Sequence, residues 1–204
     1  MFAAVAWVAG LMGLFSLVNS GAAANFFGGQ VRPPSYQLSF YNLHTHENLN
    51  VVYRDGTYYS PTALVKVNEF MRDYRSGGVR QIDAHLLDVL YGLKTTLQQR
   101  HPGMDVHFEV ISGYRSYGTN TLLREAGGAQ AKHSQHIAGK AIDIRVPGID
   151  LVELRNTAWC LEAGGVGYYQ FDDFVHVDTG KRRFWNWNPR ADRVRCRDSY
   201  IVNE

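Results

Sequence analysis

The chain has 204 residues, two cysteines and a formal net charge of +2. That length suits one domain with a full hydrophobic core, and two cysteines are too few for a disulfide scaffold or, at this spacing, a structural zinc site. Basic residues are scattered except at Lys181-Arg182-Arg183 and between Arg190 and Arg197, so nothing marks a nucleic-acid partner.

In chain order, Met1 to Val18 is almost wholly apolar and Ala22-Ala23-Ala24 follows. This predicts an export segment over 1–24 with a small-residue cleavage site. No Lys or Arg precedes the apolar run, so the alternatives are a start that lacks upstream residues, retention as an N-terminal membrane anchor at the lower edge of spanning length, or a plain buried helix. Residues 25–35, with Gly28-Gly29 and Pro33-Pro34, read as a linker; the folded domain is expected over 36–187 and a tail over 188–204.

Within that domain, Tyr36 to Leu43 alternates as a strand, and Asp55-Gly56 sits at the turn of a hairpin from Asn50 to Tyr59. Ser60-Pro61 supplies an N-cap and a first-turn proline, followed by Leu64, Val67, Phe70, Met71 and Tyr74 at helical spacing until Gly77-Gly78. Arg72 to Arg75 reads as the solvated end of that helix. A second helix carries Ile82, Leu86, Val89, Leu90, Leu93 and Leu97 on one stripe, with Asp83 and Asp88 near its positive end. His107 to Ile111 is a short strand that delivers Ser112 to Ser116. Thr121 to Glu125 is helical, Lys140 to Val146 is a strand, and Asp150 with Glu153 makes a capping box for a helix from Leu151 to about Ala163. Val166 to Tyr169 and Phe174 to Val177 are two further strands. Cys160 is either a small buried residue on its helix or half of one disulfide with Cys196. The pattern is α+β: helices gathered early, and an antiparallel central sheet carrying the second half.

The chemistry concentrates in two places: the run from Ser134 to Asp143, and Asp173-Phe174-Val175-His176-Val177-Asp178. Strand parity puts Ile142 and Ile144 on one face and Asp143 on the other, and likewise Val175 and Val177 against His176 and Asp178. If the two strands pair, Asp143 and His176 converge, and His136 enters from the turn that Gly139 allows. Ser134 caps that turn. Two imidazoles and a carboxylate leave one tetrahedral position open for a reacting ligand. Any one of these residues alone is more often a satisfied polar side chain; the joint spacing favours a metal. Asp178 either orients His176 or caps the Thr179-Gly180 turn. His133 is a solvated loop residue or a substrate contact. His44 and His46 have no partner ligands at useful spacing and suit a rim or hairpin role. Tyr168, Tyr169, Trp185 and Trp187 line a cleft or belong to the core.

The string Ser134-x-His136-x-x-Gly139-x-Ala141-x-Asp143 with a later His176 resembles the M15 group of zinc D,D-peptidases and their hedgehog-like relatives. The closer resemblance is to the murein endopeptidase K branch. It rests on Tyr41-Asn42-Leu43-His44-Thr45, Ile82-Asp83, Leu86-Leu87-Asp88, Ser112-Gly113-Tyr114-Arg115, Gly164-Gly165-Val166-Gly167-Tyr168-Tyr169 and Phe174-Val175-His176-Val177-Asp178-Thr179-Gly180.

The resemblance implies a hedgehog/DD-peptidase-like fold and one zinc ion on His136, Asp143 and His176. It places Asp173 as the general base, with Asp178 the alternative, and Arg115 facing the scissile carbonyl. Beside these, Ser134, Asp178, His133 and Tyr114 are candidate outer or substrate contacts. Such a site activates water, passes its proton to the leaving amine and stabilises the oxyanion. The implied substrate is peptidoglycan stem peptides in the periplasm, cut at D-Ala–diaminopimelate or diaminopimelate–diaminopimelate cross-links. A D,D-carboxypeptidase, an L-Ala–D-Glu endopeptidase and a noncatalytic peptidoglycan-binding protein are the alternatives.

Overall fold

A computed structural model describes residues 34–128, 130–162 and 164–196. The export segment and most of the expected linker lie outside the described residues. No helix among the described residues is long and apolar enough to cross a membrane.

The chain enters through β1 (Ser35–Asn42) and turns into the hairpin of β2 (Asn48–Asp55) and β3 (Tyr58–Tyr59). Gly56 takes the positive φ of that turn, as Asp-Gly predicts. Helix α1 (Pro61–Phe70) starts where Ser60 caps the Ala63 N–H. It stops at Phe70, short of expectation, because Met71 leaves helical geometry; Tyr74 lies beyond it. Helix α2 (Ala84–Arg100) is capped by Asp83, and its leucine stripe at 86, 87, 90, 93 and 97 is fully buried. Each such leucine is worth about 1.5–3 kcal/mol of burial, so this helix anchors the core.

Strand β4 (Phe108–Ser112) leads into α3 (Tyr117–Glu125). The helix begins four residues before the expected Thr121, because Ser116 accepts from the Thr119 N–H as its N-cap. Strand β5 (Ala141–Arg145), helix α4 (Leu151–Cys160) and strands β6 (Gly165–Tyr169), β7 (Phe174–Asp178) and β8 (Arg183–Trp185) complete the order. Only half of the capping box forms: Asp150 caps α4, but Glu153 turns to His101 Nε2 at 2.9 Å.

The strands form one sheet in the order β3-β2-β1-β4-β5-β7-β6-β8. The α+β class holds, with two corrections. The sheet is mixed, because β1–β4 and β6–β8 are parallel pairs. Between β1 and β4 the chain makes the helical crossover that parallel strands need; β8 reaches the far side of β6 after the β6–β7 hairpin has reversed the chain. Helices are also interleaved through the second half, where α3 and α4 separate strands. Cys160 pairs with Cys196, a closure of 36 residues in sequence worth about 3–4 kcal/mol in the chain-entropy account.

Strands β5 and β7 pair antiparallel with Asp143 opposite His176, Ile142 opposite Val177 and Ile144 opposite Val175. The apolar pairs are fully buried in the core. The polar pair therefore sits on the other face, as the alternation requires.

Candidate metal centre

Three side-chain atoms meet on that face. His136 Nε2 lies 3.2 Å from Asp143 Oδ1 and 3.1 Å from His176 Nδ1, and His176 Nδ1 lies 2.8 Å from Asp143 Oδ1. All three residues are buried.

Each imidazole is oriented from behind. The opposite nitrogen of His136, Nδ1, reaches the Gly113 carbonyl at 2.7 Å. A carbonyl only accepts, so Nδ1 carries the hydrogen and the Nε2 lone pair faces the centre. The opposite nitrogen of His176, Nε2, reaches Asp178 Oδ2 at 2.9 Å, so in the neutral imidazole the Nδ1 lone pair faces inward. With Asp143 added, three acceptors point at one another, an arrangement that calls for a cation. The spacing fits: ligands about 2.0–2.1 Å from a tetrahedral ion stand roughly 3.3 Å apart. Burial opposes charge on Asp143, and the two imidazoles more than offset it, so its carboxyl is held well below the usual range.

Local backbone builds the corner. Gly139 has φ +70°, and a Cβ there would come within 2.3 Å of the Gln81 carbonyl oxygen. That glycine lets the His136 turn pack against the start of α2, where the Asp83 N–H donates to the Gly139 carbonyl. Ser134 accepts from the His136 N–H at 3.3 Å, the capping role its position predicts. On the neighbouring loop, Gly113 approaches Met71 so closely that a Cβ would meet its carbonyl at 2.7 Å.

Arg115 is buried beside the centre, with Nη2 3.6 Å from Asp143 Oδ2 and 3.3 Å from Ser112 Oγ. Its Nε is buried with no hydrogen-bond partner among the described residues. Burial pushes its pKa down, against the pull of Asp143, yet a guanidinium stays charged. A cleft of about 540 Å³ opens over these groups, walled by Arg115, His133, Tyr169, Asp172, Arg183 and Trp185 among others.

The other expected residues divide. His133 and Ser134 line the cleft. Asp178 is fully buried behind His176. Tyr114 is half-buried against the core. Asp173 is not among the residues lining the cleft: it occupies a left-handed turn position, and its carboxylate lies 2.6 Å from Arg145 Nη1 with the side chain 58% exposed. Its neighbour Asp172 lines the cleft. His44 stacks on Tyr74 and His46 pairs with Tyr41; neither is among the residues lining the cleft. Tyr168 and Trp187 pack over Arg155, while Tyr169 and Trp185 face the cleft.

Sequence reasoning missed Asp73. Within what reads as a solvated helix end, it is 2% exposed. It accepts from the Ser116 N–H at 3.0 Å and from the Ser76 hydroxyl at 2.8 Å, bracing the loop that carries Arg115. Burial would raise its pKa; hydrogen bonds from Thr119, Ser116 and Ser76 outweigh that and hold it low. Arg183 was missed as well.

A protein-family profile described as "Peptidoglycan L,D-endopeptidase MepK" matches residues 31–185. The Peptidoglycan L,D-endopeptidase MepK of Escherichia coli (strain K12) is 43% identical over 148 residues, spanning 72% of this chain and 79% of that protein. The protein of the same name from Shigella flexneri matches to the same extent. The Probable peptidoglycan L,D-endopeptidase MepK of Haemophilus influenzae is 40% identical over 148 residues, 72% of this chain and 77% of that protein.

Proposed function

The chain belongs to the M15-type peptidoglycan L,D-endopeptidase family of metallopeptidases, and from that membership we propose that it is a zinc-dependent hydrolase of the diaminopimelate–diaminopimelate cross-link in the cell envelope. The observation that carries the reading is the convergence of His136 Nε2, Asp143 Oδ1 and His176 Nδ1, each N–H turned outward. Two nitrogens and one oxygen at this spacing suit Zn²⁺. Of the two cross-links expected from sequence, D-Ala–diaminopimelate joins two D-centres. Only diaminopimelate–diaminopimelate runs from an L-centre to a D-centre, the chemistry named in the relatives.

When bound, zinc in such a site polarises a carbonyl and lowers the pKa of water. The chain's own groups supply the rest. Arg115, which lines the cleft, presents its guanidinium charge to the carbonyl oxygen as negative charge develops there, and burial strengthens that interaction. Its braced loop, held through Asp73, keeps the guanidinium in place before substrate arrives. Tyr169 and Trp185 form an apolar wall that excludes water from one side. For the proton, Asp178 is committed to His176 and Asp173 to Arg145. Asp172, which lines the cleft, takes the role that the family resemblance implies for Asp173: it accepts the proton of the attacking water and returns it to the leaving amine.

Purified muropeptide dimers test this directly. The protein is expected to split diaminopimelate–diaminopimelate dimers and to leave D-Ala–diaminopimelate dimers and L-Ala–D-Glu bonds intact. Release of D-Ala or of L-Ala-terminated fragments would transfer the assignment to the carboxypeptidase or the L-Ala–D-Glu reading, and binding without products to the noncatalytic one. In the same assay Asp172→Asn should lose about 10²–10⁴-fold in kcat and Asp173→Asn much less. The reverse order would restore Asp173 as the base.

A further inference from the structure

Strand β8 reaches the metal corner across its neighbour. It lies beside β6, with Gly165 opposite Arg183 and Gly167 opposite Trp185. Beyond β6 lies β7, with Gly167 opposite His176. Arg183 and Trp185 are two residues apart and so share a face, as do Gly165 with Gly167 and His176 with Asp178. The side chains of β8 therefore cross the two glycines and land on β7.

The contacts are close. Arg183 Nη2 donates to Asp178 Oδ2 at 2.6 Å and Nη1 to Asp178 Oδ1 at 3.1 Å. The Trp185 ring sits 4.9 Å from the His176 ring, centroid to centroid, and its Nε1–H donates to the Tyr169 hydroxyl at 2.8 Å. A Cβ at Gly165 would fall 2.4 Å from Asp178 Oδ2 and 2.7 Å from Arg183 Nη1; one at Gly167 would fall 2.3 Å from the Trp185 ring. The two glycines are thus the gap through which this strand acts.

Asp178 is fully saturated by these donors. Besides Arg183, its Oδ1 accepts from the Gly165 and Gly180 N–H groups, both at 2.8 Å, and Oδ2 accepts from His176 Nε2. Without Arg183, Oδ2 would keep only the imidazole, and the carboxylate plane would lose the bidentate fork that fixes it. The ring it holds is the one whose Nδ1 faces the centre.

We propose that Arg183 is a positioning residue for the metal centre: through Asp178 it fixes the tautomer and angle of His176, with Trp185 confining the ring. The proposal rests on the zinc reading above. Orienting carboxylates behind a metal-bound imidazole are worth about 10–100-fold in metal affinity; a residue acting through one belongs at the low end of that range.

The test is a zinc titration of the purified chain against a chromophoric chelator, with far-UV circular dichroism on each variant. Arg183→Gln is expected to weaken zinc binding about 10-fold and Arg183→Lys, which keeps one contact, by less. Asp178→Asn should weaken it at least as much as Arg183→Gln, and the double variant Asp178→Asn/Arg183→Gln should match Asp178→Asn alone. The visible band of the cobalt-loaded protein should shift in Arg183→Gln and show no further shift in the double variant. Unchanged affinity in Arg183→Gln, or a full additional loss on top of Asp178→Asn, would overturn the proposal. If Arg183→Gln does not fold, Arg183→Lys in both backgrounds decides by the same comparison. Failure of the unmutated chain to bind zinc would instead overturn the metal reading itself.

Discussion

Asp88 on α2 and Asp143 on β5 are both carboxylates enclosed by ring-bearing side chains, yet their neighbours face them with opposite hydrogen-bonding character. Asp88 accepts from the Tyr53 hydroxyl at 2.9 Å and from the Tyr59 hydroxyl, with Arg54 Nη1 at 3.5 Å. Every one of these partners is a donor, and the negative charge is answered within the chain. Burial and the charge of Asp88 push both phenol pKa values up, so the tyrosines stay protonated and keep donating. Around Asp143 the imidazoles spend their N–H groups outward, on the Gly113 carbonyl and on Asp178, and turn lone pairs inward. A carboxylate saturated by donors holds a fold together. One whose Oδ1 faces two imidazole lone pairs, with Arg115 Nη2 only 3.6 Å from its other oxygen, leaves room for a further cation.

That contrast can be broken at either end. The largest effect is expected at the open cluster: Asp143→Asn should lose zinc and reduce cross-link cleavage by on the order of 10³-fold or more, while staying folded by circular dichroism. Zinc content by atomic absorption beside product release would check it; retained metal with full activity would erase the distinction. Next, Arg115→Met should lower kcat by about 10²–10³-fold with zinc stoichiometry intact, since Arg115 borders the lone-pair cluster without belonging to it. A matching loss of metal would make it part of the cluster.

The closed cluster should respond in the opposite currency. Asp88→Ala leaves the fully buried Tyr53 hydroxyl, the half-buried Tyr59 hydroxyl and Arg54 without their acceptor, and should cost about 2–3 kcal/mol in urea unfolding with zinc affinity unchanged. A loss of zinc affinity would mean the two regions are coupled through α2.

Much of this was legible in the sequence, because it depends on short-range patterns. The Ser60-Pro61 cap, the leucine stripe of α2 and the alternation in β5 and β7 each follow from spacing alone. The last of these brings Asp143 opposite His176. What was not legible depends on distant partners. Asp73 looks solvated beside Arg72 and Arg75, and becomes buried only because Ser116, 43 residues later, folds over it. The Gly113 carbonyl behind His136 is 23 residues away in sequence. Strand β8 has three residues, too few for a period, and is recognisable only from the glycines it crosses. Asp172 and Asp173 are adjacent, and the left-handed φ of Asp173, a local property of the turn, separates their surroundings.

The smallest expected effect is in pH dependence, and it too separates donor-saturated from lone-pair groups. Asp73 and Asp178 have carboxyl pKa values held below their ordinary range by hydrogen bonds that outweigh burial. Their folded-state values lie below the unfolded value of about 3.9, so their contribution is present above that pH and is lost as pH falls through the folded values. His176 moves the other way: burial lowers its pKa, but Asp143 and Asp178 raise it overall. In metal-stripped protein its contribution is full below about pH 6.5 and is lost as pH rises through its folded value. The urea midpoint of stripped protein should therefore fall on both sides of a plateau between about pH 4 and 6.5. Zinc, which needs the neutral imidazole, should abolish the alkaline limb. An alkaline limb that persists with zinc bound would place the metal elsewhere.

The most direct test of the central claim, that the lone-pair cluster at His136, Asp143 and His176 is completed by a catalytic metal, is digestion of purified sacculi by one preparation in three states. Zinc-loaded protein should release fragments cut at diaminopimelate–diaminopimelate cross-links, chelator-stripped protein should release none, and readdition of zinc should restore release at about one ion per chain. Undiminished release by the stripped protein would contradict the account.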